Sequence, residues 1–418
     1  MADPTVTRLG DTCYVTTDDL ILEFSGLREH SDGLTAEVTA TLAASGKQHW
    51  ARLNMSSTQA RATFSKALVS IGLDGVAAPS LDSACLQVVK LLRVQDPARP
   101  LEAARPTPGR WLLDGLLPVN ETSVLFGDGG SGKSWLALAL AIAGLTGCPV
   151  ADSQRWRVSP LTAVLYLDWE SQYEDHAARL WGLSRPHTAE ETGVPGILHR
   201  SMTRPLTEAI STVRHDVDQH HVSLVVLDSL GAACGAEPEG ADAAVRTMNA
   251  LRSLPCTRLV IAHVSKVAAD AKSPARPYGS VYVANLARST IEARRDESVS
   301  QDELAVTYYH RKANHGALRP PTALRFLFDD VGHVLIKTGE PDLQRAGLPT
   351  QILAILDHGA QTATSLAEAI NASPHAVRTT LGRLANRNKV VRITDSRGGK
   401  GQETQWGRPD ANRNDTAS

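Results

Sequence analysis

The sequence predicts an α/β fold: a phosphate-binding sheet in the centre, a small α+β unit before it and a helical unit closed by a β-hairpin after it. Three patterns predict this. An apolar run at Ser123–Phe126 ends in a Gly-rich loop that opens directly into a helical pattern. Two later apolar runs end in acids, at Asp168 and Glu170 and at Asp228. Near the C-terminus, three helical segments are followed by a strand and a Gly-rich hairpin carrying many cations.

The Gly-rich loop, Gly127 to Ser134, has the spacing G-x-x-x-x-G-K-S of a phosphate-binding P-loop. Gly127, Gly129, Gly130 and Gly132 allow the tight path that turns successive N–H groups toward one anion. The positive end of the helix starting near Lys133 adds to that cradle. Lys133 is placed to reach the β- and γ-phosphates of ATP, and the Ser134 hydroxyl to hold Mg²⁺. Ser131 and Trp135 complete the expected nucleotide contacts, and Asp128 is expected to point outward.

Composition bounds the rest. The 418 residues suffice for two or three domains. Lys plus Arg (43) nearly balance Asp plus Glu (45), so any basic surface must be local. The five cysteines, Cys13, Cys85, Cys148, Cys234 and Cys256, are scattered without a C-x-x-C pair. That pattern argues against a disulfide framework or a zinc site and for reduced thiols. With no basic-then-apolar leader and no apolar stretch beyond Trp135–Leu145, a cytoplasmic protein without membrane contact is expected.

Residues 1–95 read as an α+β module. Asp19–Leu27, Leu34–Leu42 and His49–Met55 are strands, Ser56 and Ser57 cap a helix running to about Ser70, and Leu81–Val94 has helical spacing. No catalytic constellation stands out there, so the module is either a structural or oligomerisation unit or a docking or DNA-contacting domain. Residues 96–109, with Pro97, Pro100, Pro106 and Pro108, form a stiff linker.

Residues 110–340 form the core. Ala163–Ser171 is apolar on both faces, as a central parallel strand must be, and ends in Asp168 and Glu170. Acids at the carboxyl end of such a strand sit where α/β sheets bind ligands. Glu170 is the candidate for orienting or deprotonating the attacking water; otherwise it caps the following helix. Asp168 points to the same side of the strand as Glu170. The run Val222–Leu227 ends at Asp228, the Walker B pattern, where the acid reaches Mg²⁺ through water. A helix over about Ala243–Leu254 follows. Arg258–Lys266 is a further strand whose tip carries His263, either a γ-phosphate sensor or a polar residue satisfied at the sheet edge. The loop Val267–Tyr278 is mildly basic. Ser289–Arg294 follows, and Leu304–His310, Leu324–Phe328 and Val334–Lys337 read as antiparallel strands at the sheet edge. Arg288 or the cations of His310–Gly316, Lys312 among them, are finger candidates for a neighbouring subunit, or ordinary surface charges.

The order of P-loop, Glu170 strand, Asp228 strand and His263 strand resembles the RecA-like ATPase core. Within it, the D-S-L turn at Asp228–Leu230, H-x-x-K at His263–Lys266, G-S at Gly279–Ser280 with Arg288 after it, and K-x-N at Lys312–Asn314 resemble RepA-type hexameric replication helicases. The resemblance implies ATP hydrolysis at subunit interfaces, Mg²⁺, a hexameric ring and single-stranded DNA in its channel. By it, Glu170 is the catalytic carboxylate, His263 the sensor and Arg288 or Lys312 the trans-acting cation. The chain departs from the subgroup at Ala262-His263, where His-His is common, and in its long N-terminal module.

Residues 346–406 are similar to a winged helix-turn-helix. Pro349–Leu356 and Ala363–Ile370 are helices, Ser373 caps a third with Pro374 at its first position, Lys389–Ile393 is a strand, and Thr394–Trp406 completes a hairpin. Between Pro374 and Lys400 lie seven cations (Arg378, Arg383, Arg387, Lys389, Arg392, Arg397, Lys400) against Asp395 alone. A face of that kind binds duplex DNA phosphates, or else serves protein contacts. Residues 407–418 are expected to be a disordered tail. The expected function is an ATP-driven DNA helicase or translocase of plasmid, phage or mobile-element replication. The alternative is a DNA-binding regulatory or assembly ATPase, or a recombinase-like filament, without processive unwinding. The acids Glu237, Glu239 and Asp242 after the Asp228 strand weaken a simple channel-binding picture.

Overall fold

The computed structural model describes residues 5–9, 12–16, 20–30, 33–43, 45–72, 77–93, 103, 111–185, 187, 194–235, 241–264, 277, 281–300, 302–393 and 404–409. The 96–109 linker (except 103), Lys266, most of the 267–278 loop, Gly279–Ser280, Glu237, Glu239, the 394–403 hairpin with Asp395, Arg397 and Lys400, and the tail from 410 lie outside the described residues. The chain forms two compact units, Met1–Thr107 with Glu208–His221, and Pro108–Thr207 with Val222–Ser418.

The first unit is an antiparallel sheet, β1 (Thr5–Leu9), β2 (Thr12–Thr16), β3 (Leu20–His30), β4 (Gly33–Leu42) and β5 (Gln48–Asn54), in sequential order. Helices α1 (Thr58–Ser70) and α2 (Ala77–Arg93) follow. Strand β4 alternates between buried and partly exposed positions, placing Leu34, Ala36, Val38, Ala40 and Leu42 in a core with Phe64, Leu68 and Leu81. The Ser57 hydroxyl caps α1 by accepting the Ala60 N–H at 3.3 Å. Strands β1 and β2 were not legible in the sequence.

The second unit is built on a nine-stranded sheet. In chain order its described elements are a small hairpin β6 (Trp111–Leu113) and β7 (Leu117–Pro118), then β8 (Thr122–Gly127), α3 (Lys133–Thr146), β9 (Val164–Asp168), α4 (Tyr173–Ser184) and β10 (Ile197–Ser201). Helix α5 (Leu206–Gln219), which belongs mostly to the first unit, leads to β11 (Leu224–Asp228), α6 (Leu230–Ala233), α7 (Ala241–Arg252) and β12 (Thr257–Ala262). Then come α8 (Val281–Leu286), β13 (Ser289–Asp296), β14 (Glu303–Ala313), β15 (Thr322–Phe328) and β16 (Val334–Gly339).

The sheet order is β10-β9-β11-β12-β8-β13-β14-β15-β16. From β10 to β13 every pairing is parallel, and β14 to β16 extend the sheet antiparallel. Strands β8, β9, β11 and β12 are buried at every position, which is why each carries an apolar run, even where buried polar residues such as Ser123 and Arg258 open the strand. Each fully buried Val, Leu or Phe there contributes about 1.5–3 kcal/mol. Asp228 pairs with both Asp168 and Ile261, and Ala262 with Phe126, so the segments after β8, β9, β11 and β12 leave one edge side by side. β13 runs parallel to β8 between the P-loop strand and the antiparallel extension.

Residues 346–406 fall within this unit but enclose their own core. Helices α9 (Leu348–Asp357), α10 (Ala363–Ile370) and α11 (Pro374–Ala385) bury Ile352, Leu366, Val377, Leu381 and Leu384 together with Trp406. Strands β17 (Gln361–Thr362), β18 (Val391–Ile393) and β19 (Gln405–Gly407) form a sheet in the order β17-β19-β18. Ser373 caps α11, its hydroxyl accepting the Ala376 N–H at 3.2 Å. Among the described residues, no helix is long and apolar enough to cross a membrane, and the cysteines are free.

His310 on β14 is a buried anchor whose charge state the fold dictates. Its Nδ1 accepts the Arg319 N–H at 3.0 Å, so Nε2–H faces the Ser289 hydroxyl at 3.0 Å. Burial pushes its pKa from 6.5 down to about 4. The unfolded chain therefore takes up this proton first. Stability from His310 is intact above pH 6.5 and declines as pH falls to about 4, by about 3 kcal/mol in all. Urea-unfolding midpoints at pH 7 and pH 4.5 should differ more in the wild type than in His310→Ala.

Candidate active site

The loop between β8 and α3 wraps around the Lys133 ammonium. Lys133 is buried, and its Nζ donates to the Gly127 carbonyl (3.1 Å), the Asp128 carbonyl (2.7 Å) and Ser131 Oγ (3.3 Å). Burial pulls its pKa below the usual lysine range, while Asp228, Glu170 and Asp128 oppose the shift. The side chain of Asp128 is exposed. Glycine is required here for two different reasons. Gly132, the N-cap of α3, has φ +73° and faces Leu304 and Val306, and Gly130 has φ +70°. Gly127 has no positive φ, but a Cβ there would lie 2.3 Å from the Ala293 carbonyl of β13. The expectation for Gly129 needs correcting: its φ is not left-handed and no atom lies within 4 Å of its would-be Cβ. The path of the loop does not require glycine at 129.

The acids stand on neighbouring strands. Asp228 ends β11, buried, and its Oδ2 accepts the Ser134 hydroxyl at 2.6 Å and the Tyr166 hydroxyl at 2.6 Å. Ser134 Oγ and Asp228 Oδ2 are hard oxygen donors from two elements that meet at the sheet edge, a donor set that fits Mg²⁺. Just beyond β9, Glu170 accepts a hydrogen bond from Ser229 and lies 3.4 Å, through Oε1, from His263 Nε2. The His263 contact lowers the Glu170 pKa most; burial opposes it, while Ser229 and the charges of His263 and Lys133 add to it. Glu170 is thus a carboxylate at neutral pH. Both His263 and Glu170 are about two-fifths exposed, so the pair faces solvent. Asp168 Oδ1 accepts the N–H groups of Glu170 (2.9 Å) and Ser171 (3.1 Å), fixing the turn that presents Glu170.

The structure brings Lys133, Ser134, Glu170, Asp228 and His263 to one edge. It places Arg288 and Lys312 elsewhere. The Arg288 N–H donates to the carbonyl of Thr122, at the start of β8, and its guanidinium lies 3.6 Å from Glu121. Lys312 Nζ donates to the carbonyls of Ala284, Asn285 and Ala287 at the end of α8. Both cations lie at the opposite end of β8 from the P-loop, about 17 Å away at roughly 3.3 Å per residue. The Trp135 ring packs edge-on against Phe328, with the Arg179 guanidinium over it, so its side chain belongs to the core.

Three neighbours of this site were not foreseen. Tyr166 was hidden inside an apolar run; its alternation with Asp168 along β9 was the available signal. Ser229 follows Asp228 directly. Arg295 lies two residues past Ala293, which pairs with Gly127, and its Nη1 is 3.9 Å from a would-be Cβ at Gly130.

The profile of a family described as AAA domain matches residues 88–269. That stretch is similar to P-loop ATPase domains, a type that carries out ATP hydrolysis. The match ends before β13, so the strand that closes on Gly127 and residues 346–406 lie beyond it. No curated protein matches the chain.

Gly127→Ala should destabilise the fold by about 1–3 kcal/mol, because a backbone carbonyl cannot move aside as a side-chain end can. Gly129→Ala should leave the melting temperature within a degree or two of the wild type. Differential scanning calorimetry of both variants checks this contrast.

Proposed function

We propose that the chain is an ATP-dependent DNA helicase or translocase acting in plasmid, phage or mobile-element replication. The observation that carries the ATPase half is the meeting of Lys133, Ser134, Glu170, Asp228 and His263 at one sheet edge. ATP would be held by the 127–134 cradle and Lys133, and Mg²⁺ by Ser134 with Asp228 behind it. When bound, Mg²⁺ supplies charge neutralisation on the transferring phosphoryl group. Lys133 must exchange its three oxygen partners in the loop for phosphate oxygens. Glu170, ionised and anchored by Ser229, would orient the attacking water through its exposed oxygen edge. His263 would sense the γ-phosphate through its contact with Glu170.

The DNA half rests on residues 374–393. Arg378, Arg383, Arg387, Lys389 and Arg392 are exposed there, and no acid occurs in the segment. We read 346–406 as a winged helix-turn-helix whose α11 and following strand contact duplex phosphates. The RepA-type reading further proposes a hexamer with single-stranded DNA in its channel and Arg288 or Lys312 reaching the ATP of the adjacent subunit.

Lys133→Ala should weaken nucleotide binding by about 10- to 100-fold, the loss of charge-assisted hydrogen bonds. Glu170→Gln should bind ATP nearly as the wild type does while turnover falls by about 10²- to 10⁴-fold. Equilibrium binding of a fluorescent ATP analogue, set beside steady-state phosphate release, separates the two. If Glu170→Gln turns over normally, the carboxylate has been misassigned.

The wild type should displace a strand from a forked duplex in the presence of ATP and Mg²⁺, and Lys133→Ala should not. DNA-stimulated ATPase without strand displacement would favour the regulatory or assembly alternative instead.

A further inference from the structure

Behind the Glu170 turn lies a cluster the ATPase reading does not use. Asp168 ends β9, His176 sits in the first turns of α4, and His199 is the central residue of β10. One donor atom from each lies within 4.8 Å of the others. We propose that Asp168, His176 and His199 form a binding site for a divalent transition metal, with zinc the best match, separate from the Ser134–Asp228 oxygen pair.

Four observations carry this. The first is spacing. His176 Nε2 lies 3.0 Å and His199 Nε2 3.3 Å from the same oxygen, Asp168 Oδ2. Ligands about 2.0–2.1 Å from a tetrahedral zinc are separated by roughly 3.3–3.4 Å, so both imidazole–carboxylate edges are already near that length, and the two imidazole donors lie within 4.8 Å of each other. The second is an unmet need. His176 is 5 % exposed, yet neither ring nitrogen has a hydrogen-bond partner; its approach to Asp168 is close but off the hydrogen-bond direction. Buried imidazole nitrogens without partners are costly, and a metal would satisfy one of them.

The third is the outer shell. Asp168 Oδ1 is occupied by the Glu170 and Ser171 N–H groups, which orients the carboxylate and leaves Oδ2 to face the two imidazoles. The fourth is access. A cavity of about 450 Å³, lined by Tyr166, Tyr173, Trp181, His176 and His199 among others, opens onto the cluster and leaves room for a water as fourth ligand. Two imidazoles and one carboxylate favour zinc over Mg²⁺, which prefers all-oxygen donors.

Such a metal would staple β9, α4 and β10 together directly behind the turn carrying Glu170. It would also border the face of Tyr166, whose ring centroid is 4.5 Å from that of His176 and whose hydroxyl holds Asp228.

The test uses the full chain, stripped with a chelator and titrated with Co²⁺ in excess Mg²⁺ and without nucleotide. One Co²⁺ per chain should bind with the intense visible absorption of a tetrahedral site, and Zn²⁺ should displace it. His199→Ala, chosen because this ring lies at the cavity wall, should lower Zn²⁺ affinity by at least ~100-fold, more than loss of an outer-shell partner would. Zn²⁺ should raise the melting temperature of the wild type and not of His199→Ala. His176→Gln, folded by circular dichroism, should behave likewise. Absence of stoichiometric Co²⁺, or an unchanged spectrum in folded His199→Ala, would overturn the proposal. Both outcomes are independent of whether the protein hydrolyses ATP or unwinds DNA.

Discussion

Asp228 Oδ2 accepts hydroxyl protons from Ser134 and Tyr166, each at 2.6 Å, at the buried tip of β11. Three elements that are distant in sequence meet at that oxygen: the first turn of the P-loop helix, the β9 strand and the β11 tip. The rest of the edge is set out from this point. Because β9 and β11 are paired in register, Asp228 beside Asp168, the residues just beyond them face one another. Glu170 thereby meets Ser229. β12 lies between β11 and β8, so His263 emerges between the second acid and the phosphate cradle. A carboxylate committed to two hydroxyl donors is held in place, whereas Glu170, half in solvent, keeps an edge free.

What was legible in the sequence follows from burial. Strands β8, β9, β11 and β12 are covered on both faces, so their apolar runs could be read directly, and each leads into a candidate site residue. Strand β10 is only partly buried and carries His199 and Arg200, so it offers no such run. Its absence from the sequence reading also hid the third member of the Asp168 cluster. In the same way, the loop motif marks four glycines without distinguishing them. Only the packing of β13 shows that Gly127 is fixed by a carbonyl 2.3 Å from its would-be Cβ, while Gly129 has space around it. In α9 to α11 the caps and apolar spacing were local signals, and the helices match them to within a residue or two.

Pairing also decides what the cations can do. β13 runs parallel to β8, so its first residue lies beside the start of β8 and Ala293 lies beside Gly127. Arg288, just before β13, and Lys312, paired with Thr290, are therefore held at the far end of the sheet from their own P-loop. Neither can reach a triphosphate cradled at Gly127–Ser134 in the same chain. Arg295, past the other end of β13, is the cation beside the loop. A finger role for Arg288 or Lys312 thus demands a second subunit whose cradle comes to that far edge. It also demands that Lys312 release the three carbonyls it now holds in and just after α8. Those carbonyls form a resting place from which burial already lowers the lysine pKa, with Arg288 adding repulsion. A phosphate anion arriving from a neighbour would offer a stronger partner than neutral carbonyls, so assembly and nucleotide binding would favour release together.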